Sequence, residues 1–231
     1  MNRLKRILIM VLAVGAMLQI PLASAQAPQP ASATVQTKSP SVVAGQATEK
    51  VIALLMSGRE KFSKDPELFA AEVEKIIEPV ISFDAIARGV MGRFAHRASE
   101  TEIKEFTKVF RESLILFYSK AVLAFNTGQL ALDKVEPVPT ALMEQYQAKK
   151  SRSVPVNITV RSNRQNYLMS YSMEQNNGHW MVRNIIVEGI NLGLQLRNQY
   201  AEAMNRYRKI STVTAEWPKL IQGADSSAKR G

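Results

Sequence analysis

The sequence predicts an α+β fold: a helical N-terminal half, then a four-stranded antiparallel sheet, then C-terminal helices. Two observations carry this. Apolar residues recur at helical spacing from Val51 to Ala121, and between Leu130 and Val187 the spacing changes to the two-residue alternation of half-buried strands. After Gly189 the helical spacing returns. A sheet with helices on one side buries both apolar surfaces in one layer, so a hydrophobic cavity or core is expected between them.

The chain opens on a targeting segment. Arg3, Lys5 and Arg6 form a basic start, Ile7 to Leu18 an apolar core, and Ala23-Ser24-Ala25 a small-residue cleavage site. Residues 1–25 therefore read as a signal peptide, with an apolar run shorter than the ~20 residues that cross a bilayer. Residues 26–46 hold Gln, Ala, Pro, Ser and Thr with few large apolar side chains and read as a disordered leader. The folded domain is expected over 47–222 and a flexible polar tail over 223–231. A chain of this size can bury ~70% of its unfolded surface and needs no covalent staple. None is available, because cysteine is absent, which also excludes thiolate metal sites and anchoring through an N-terminal cysteine. The net charge of +10 favours anionic partners. Export argues against nucleic acid, and the basic residues look scattered, not gathered in one block.

Val51, Ile52, Leu54, Leu55 and Phe62 mark a first helix at roughly 46–62. Asp65-Pro66 starts the second, with a capping carboxylate and a proline whose missing N–H costs nothing there. Its buried face is Leu68, Phe69, Val73, Ile76 and Ile77, and Pro79 ends it. A short third helix follows around Phe83, Ile86, Val90 and Met91, closed by Gly92. Ser99 with Glu102 is a capping box for the longest helix, about 100–125, carrying Ile103, Phe106, Phe110, Leu114, Phe117 and Ala121. Asn126-Thr127-Gly128 ends it.

Leu130, Leu132 and Val135 give the first strand, ended by Pro137 and Pro139. Val154, Val156, Ile158 and Val160 alternate with polar residues in the second. Asn163-Arg164 forms a tight turn, and Tyr167, Met169, Tyr171 and Met173 mark the third. Asn176-Asn177-Gly178 is a hairpin turn into the last strand, Trp180 to Val187. If Ser162 faces Gln165, then Val160 faces Tyr167, Ile158 faces Met169 and Val156 faces Tyr171. If Glu174 faces His179, then Met173 faces Trp180, Tyr171 faces Val182 and Met169 faces Asn184. All then share one face, apolar except for Asn184 and the tyrosine hydroxyls. A helix at about 190–208 bears Ile190, Leu192, Leu194, Leu196, Tyr200 and Met204, and a last one, Thr214 to Gln222, holds Trp217 and Leu220.

No catalytic constellation emerges. Of the two histidines, His96 sits in a basic turn and His179 at a hairpin mouth, neither beside a serine or an acid in sequence. No ligand pair has a recognised metal spacing. Asp84 reads as a helix N-cap and Glu188 as a partner of amides at a helix start. A cone-like, NTF2-like fold can house an isomerase with a buried Asp base, but the buried polar position here is Asn184, which cannot act as a base. Met169 and Met173 share the apolar face with Tyr167 and Tyr171. Flexible thioethers suit either an ordinary core or a surface that adapts to varied ligands.

The run Gly178-x-Trp180-x-Val182-x-Asn184, then Glu188-Gly189-Ile190-Asn191-Leu192 and Arg197-x-x-Tyr200, resembles the MlaC or toluene-tolerance family of periplasmic phospholipid carriers. Met91-Gly92-Arg93-Phe94, Arg97-Ala98-Ser99-Glu100-Thr101-Glu102 and the ladder Phe106, Phe110, Leu114, Tyr118 match as well. The resemblance covers roughly 48–222. Asn184 and Asn191 depart from it, many members having Asp and Ser there.

The resemblance implies a monomeric periplasmic carrier, not an enzyme, with a bound phospholipid and no cofactor or metal. It would shuttle lipid between an outer-membrane lipoprotein–porin complex and an inner-membrane MCE-domain ABC transporter, maintaining outer-membrane asymmetry and solvent tolerance. A carrier is physically needed: at ~0.8 kcal/mol per methylene, a 16-carbon chain in water costs on the order of 12 kcal/mol. The expected lining sets the sheet residues Val156, Ile158, Met169, Tyr171, Met173, Val182 and Asn184 against Phe106, Phe110, Leu114, Leu192 and Leu196. Arg183 or Arg197 is placed at the rim for the phosphate. An isomerase-like enzyme, a hopanoid carrier and a ligand-free adaptor remain as alternatives.

Overall fold

The computed structural model describes residues 38–124, 129–163 and 165–228. The expected signal peptide, the leader up to Thr37, the Asn126-Thr127-Gly128 helix stop and Arg164 lie outside these residues. In chain order, α1 (Pro40–Lys64), α2 (Pro66–Ile77), α3 (Phe83–Met91) and α4 (Glu100–Ala124) precede β1 (Leu130–Val135). Helix α5 (Thr140–Gln147) leads into β2 (Val154–Ser162), β3 (Gln165–Asn176), β4 (His179–Val187) and the two-residue β5 (Ile190–Asn191). Helices α6 (Leu192–Tyr207) and α7 (Ile210–Ala228) follow, with 3-10 turns at Glu78–Val80 and Gly92–Arg97 flanking α3.

Local chemistry sets the helix starts. The Asp65 carboxylate accepts from the Leu68 N–H at 3.0 Å, and the Ser99–Glu102 box closes in both directions at 2.9 and 3.2 Å. Gly92 takes φ +56° after α3, as its place beyond the last apolar residue implied. The expected leader is corrected at its C-terminal end: Ser39 caps a helix whose first residue is Pro40, accepting from the Val42 N–H at 3.3 Å. This serine–proline start is the same device as Asp65-Pro66. The backbone of α7 likewise runs helical to Ala228, past the expected start of the tail. Helix α5 lies in a stretch where no element was expected.

The sheet is antiparallel in the order β1-β2-β3-β4-β5, so it has five strands where four were expected. The β2–β3 register is the one inferred from the hairpin, with Val160 opposite Tyr167, Ile158 opposite Met169 and Val156 opposite Tyr171. The β3–β4 register differs. Asn177-Gly178 is a two-residue turn with both φ positive, so Asn176, not Glu174, faces His179. A bulge then interrupts the pairing between Ser172 and Met173: Met173 faces Val182, but Ser172 faces Asn184 and Tyr171 faces Ile185. The extra residue moves Asn184 to the outer face and brings Ile185 and Val187 to the inner one.

Three apolar clusters result. The largest joins α3, α4, α6 and α7 around Phe106, Phe110, Tyr200 and Trp217, with Phe106 4.8 Å from the Tyr200 ring centroid and 5.3 Å from that of Trp217. The second is the inner face of the sheet with the N-terminal part of α1 and α5. The third joins α1 to α2 through Leu55, Phe62, Phe69 and Val73. Ile81, in parallel pairing with Val182 on β4, touches both the first and the second.

Candidate functional site

The inner face of the sheet is built by strand alternation. Val154, Val156, Ile158 and Val160 of β2 point inward, and the register adds Tyr171 and Met173 of β3 and Val182 of β4. Helix α1 lies close over this face because its contact residues are small. Ala44 is buried, and a Cβ on Gly45 would stand 3.0 Å from Val135 Cγ2. Polar links across the layer join the Tyr171 hydroxyl to Thr48 Oγ1 at 3.2 Å and the Ser41 hydroxyl to the Glu136 carbonyl, also at 3.2 Å. Burial pushes the Tyr171 hydroxyl above its ordinary pKa, and the Thr48 hydrogen bond opposes this only in part.

The layer is sealed on one side and open on the other. Along the cross-strand row Ile158, Met169, Val187, Ile190, exposure rises from 0% at Ile158, through half-buried Met169 and Val187, to 47% at Ile190. Such a row is an apolar track running from the core to the β5 edge.

Of the expected lining, Val156, Ile158, Met169, Tyr171, Met173 and Val182 come together here. Phe106, Phe110, Leu114 and Leu196 do not face them. They belong to the helical cluster, where Phe106 and Phe110 are fully buried. The physical reason is α1: its first turns occupy the sheet face, while α4 packs against α2 and α7. Leu192 is half-buried at the start of α6.

Asn184 has a structural role on the outer face. Its Oδ1 accepts from the Gly193 N–H at 3.0 Å and its Nδ2 donates to Asn191 Oδ1, also at 3.0 Å. Asn191 in turn caps α6 by accepting from the Leu194 N–H. Gly193 suits this arrangement, since a Cβ there would press on Asn184 Oδ1 and push it off its hydrogen bonds. Asn191 thus caps α6 where Glu188 was expected to. Glu188 instead sits with Gly189 in the positive-φ turn joining β4 to β5, its carboxylate accepting from the Leu168 N–H. Nor does Asp84 cap α3. It lies in the first turn and pairs with Arg88, which reaches on to Glu100. Among the described residues no group of three or more acidic or histidine side chains could hold a metal ion, and no helix is long and apolar enough to cross a membrane.

The two basic rim candidates separate. Arg197 packs its guanidinium against Gly92, beside the helical cluster. Arg183 pairs with Glu174 at 2.9 Å and lines a cleft of about 500 Å³ together with Lys149 and Arg152. The floor of this cleft is Met143, Tyr146 and Trp180, side chains of the inner-face layer, with the two rings 5.2 Å apart. Sequence reasoning missed Lys149 and Arg152, although the run Lys149-Lys150-Ser151-Arg152 is a local concentration of charge. A second cleft, about 600 Å³ and mostly apolar, lies between the start of α1, β1 and Val138–Met143.

Residues 45–219 match the family model described as MlaC protein. Among curated proteins, the toluene tolerance protein ttg2D of Pseudomonas putida is 29% identical over 203 residues, covering 85% of this chain and 90% of that protein. Among solved structures, the phospholipid-binding protein of Ralstonia solanacearum, determined in complex with a phospholipid, is similar with a TM-score of 0.64 at 20% identity. The match covers 83% of this chain and 99% of that one. At that identity the likeness establishes a shared fold.

Proposed function

Given that the chain belongs to the MlaC family, we propose that it is a phospholipid-binding carrier of the periplasm and not an enzyme. One observation carries the reading: an apolar sheet face covered by a helix with small contact residues and open along the row from Met169 to Ile190. An acyl chain placed along Tyr171, Ile185, Met169 and Val187 gains about 0.8 kcal/mol per methylene removed from water. The N-terminal part of α1 makes way for it. The helix is broken at Gly58, whose φ of −130° and ψ of 17° are non-helical, so the segment over the sheet turns about that point.

The bound ligand is a phospholipid, taken up and released whole. Net positive charge and export fit exchange with anionic surfaces, and the route is from an outer-membrane lipoprotein–porin complex to an inner-membrane MCE-domain ABC transporter, or the reverse. Native mass spectrometry of protein purified from the periplasm without detergent tests the reading. Co-purified phospholipid is expected. Protein that carries none and extracts none from vesicles would refute it.

A further inference from the structure

The floor of the basic cleft beside α5 belongs to the fold, but the charges at its rim are not used up. Lys149, Arg152 and Arg183 line it, against a single acid, Glu174, which is already paired with Arg183. Among the described residues the side chains of Lys149 and Arg152 have no hydrogen-bond or ion-pair partner, and both are exposed. Two features set them in place. The end of α5 closes as a Schellman motif: the Lys150 N–H donates to Gln145 O at 2.9 Å and the Lys149 N–H to Tyr146 O at 3.0 Å. Tyr146 is itself fixed, its hydroxyl accepting from the Gln175 N–H at 2.8 Å. Lys149 therefore sits at φ +56°, a position glycine fills without steric cost. A lysine held there keeps a cation at the cleft at some expense of backbone strain.

We propose that this cleft is a phosphate-binding site filled by the headgroup of the bound phospholipid. The assignment rests on the carrier reading above and adds the headgroup end of the ligand to it. Continuity favours this source of phosphate. Trp180 and Tyr146 form the floor of the cleft and belong to the apolar layer at once, so a chain running the length of the layer, from the Met169 opening past Tyr171 and Met173, would bring its phosphate to Lys149 and Arg152. Free phosphate in so open a cleft meets screened, solvated cations and binds weakly. Tethered to a buried chain, the same group arrives at high effective concentration. Arg152 offers a two-pronged donor set and Lys149 a point charge, the usual pair for a phosphodiester.

The test is competition between phosphatidylglycerol and diacylglycerol of identical chains, presented in detergent micelles and read by native mass spectrometry. The full chain is compared with Lys149→Gln/Arg152→Gln. The unaltered protein should prefer the phosphate-bearing lipid by about tenfold or more, and the double variant should lose that preference while still binding diacylglycerol. Lys149→Gly separates charge from folding, because it should weaken the preference while raising the unfolding midpoint. Equal preference in the unaltered protein and the double variant overturns the proposal and leaves the carrier reading intact. A Trp180 indole NMR shift that saturates with inorganic phosphate below about 1 mM would overturn the headgroup assignment in favour of a free anion. Failure of the unaltered protein to bind either lipid refutes the carrier reading itself.

Discussion

If a lipid chain enters between α1 and the sheet, fastening α1 down should stop it. Gly45 and Val135 offer the fastening point. A Cβ built on Gly45 lies 3.8 Å from Val135 Cβ, close to the ~3.8 Å typical of disulfides. Replacing Val135 also removes the γ-methyl that crowds Gly45 at 3.0 Å. The native chain has no cysteine, so within one molecule Gly45→Cys and Val135→Cys can pair only with each other, and dilute protein favours that pairing. The cross-link closes a loop of about 90 residues, for which chain entropy alone predicts roughly 4.6 kcal/mol of added stability. For a domain this size that is roughly a 10–15 °C rise in Tm on oxidation. Transfer of a fluorescent phospholipid from vesicles is then measured with the bond oxidised and after reduction. The oxidised protein should take up lipid at least about tenfold more slowly, a barrier higher by about 1.4 kcal/mol, and reduction should restore the rate. Uptake at the same rate in both states would refute the movement of α1. Failure of the pair to oxidise would refute its placement on β1.

Further expectations follow from single contacts. Met169→Asp should abolish lipid retention, whereas Leu168→Asp, one residue along on the opposite face and 51% exposed, should leave it unchanged by mass spectrometry. Gly193→Ala should cost about 2–3 kcal/mol, because the new Cβ expels Asn184 Oδ1 and leaves polar groups unsatisfied. In an Asn184→Ala background the same change should cost under about 0.5 kcal/mol, and equal costs in urea titrations of the two backgrounds would remove Asn184 from the account. Burial raises the pKa of Tyr171, and burial together with the Glu102 charge raises that of Tyr200, so the folded state keeps protons that the unfolded state releases near pH 10. Their contribution is complete below about pH 10 and falls above it, by about 1.4 kcal/mol per pH unit for each tyrosine. Tyr171→Phe should lower that slope in urea midpoints measured from pH 9 to 11.5.

Much of the fold was legible because it rests on local chemistry. The caps at Asp65 and Ser99 are determined within four residues, and the β2–β3 register follows once Ser162 faces Gln165. What escaped depends on a single residue or on distant partners. One extra residue in β4 carries Asn184 to the outer face and replaces it with Ile185, and no periodicity argument locates a bulge in advance. Ser39-Pro40 carried the same start signal as Asp65-Pro66, but the small polar residues around it obscured a helix stabilised mainly by the sheet beneath. That omission accounts for the third of the expected lining, Phe106, Phe110, Leu114 and Leu196, that lies in the helical cluster instead. With α1 absent from the sheet face, α4 was the longest apolar helix left to cover it, and Phe106 and Phe110 were assigned there. Total charge and its scatter do not reveal Lys149 and Arg152, because what brings them to one cleft is the turn that ends α5.

The packing of the two layers bears on which helix a ligand could displace. Helices α4 and α7 meet through Phe106, Phe110 and Trp217, all fully buried, and separating them would expose side chains worth about 3–5 kcal/mol each. The part of α1 before Gly58 contributes Ala44, the half-buried Val43 and Ile52, the buried Leu55, and hydrogen bonds from Thr48 and Ser41. Lifting it costs on the order of 6 kcal/mol by burial of apolar area, with about 2 kcal/mol more for the two hydrogen bonds. A 16-carbon chain leaving water returns on the order of 12 kcal/mol. The comparison has the sign a carrier requires. On the proposed carrier reading, a chain that replaces this cover returns more than lifting it costs, and the aromatic core of the helical cluster stays unbroken.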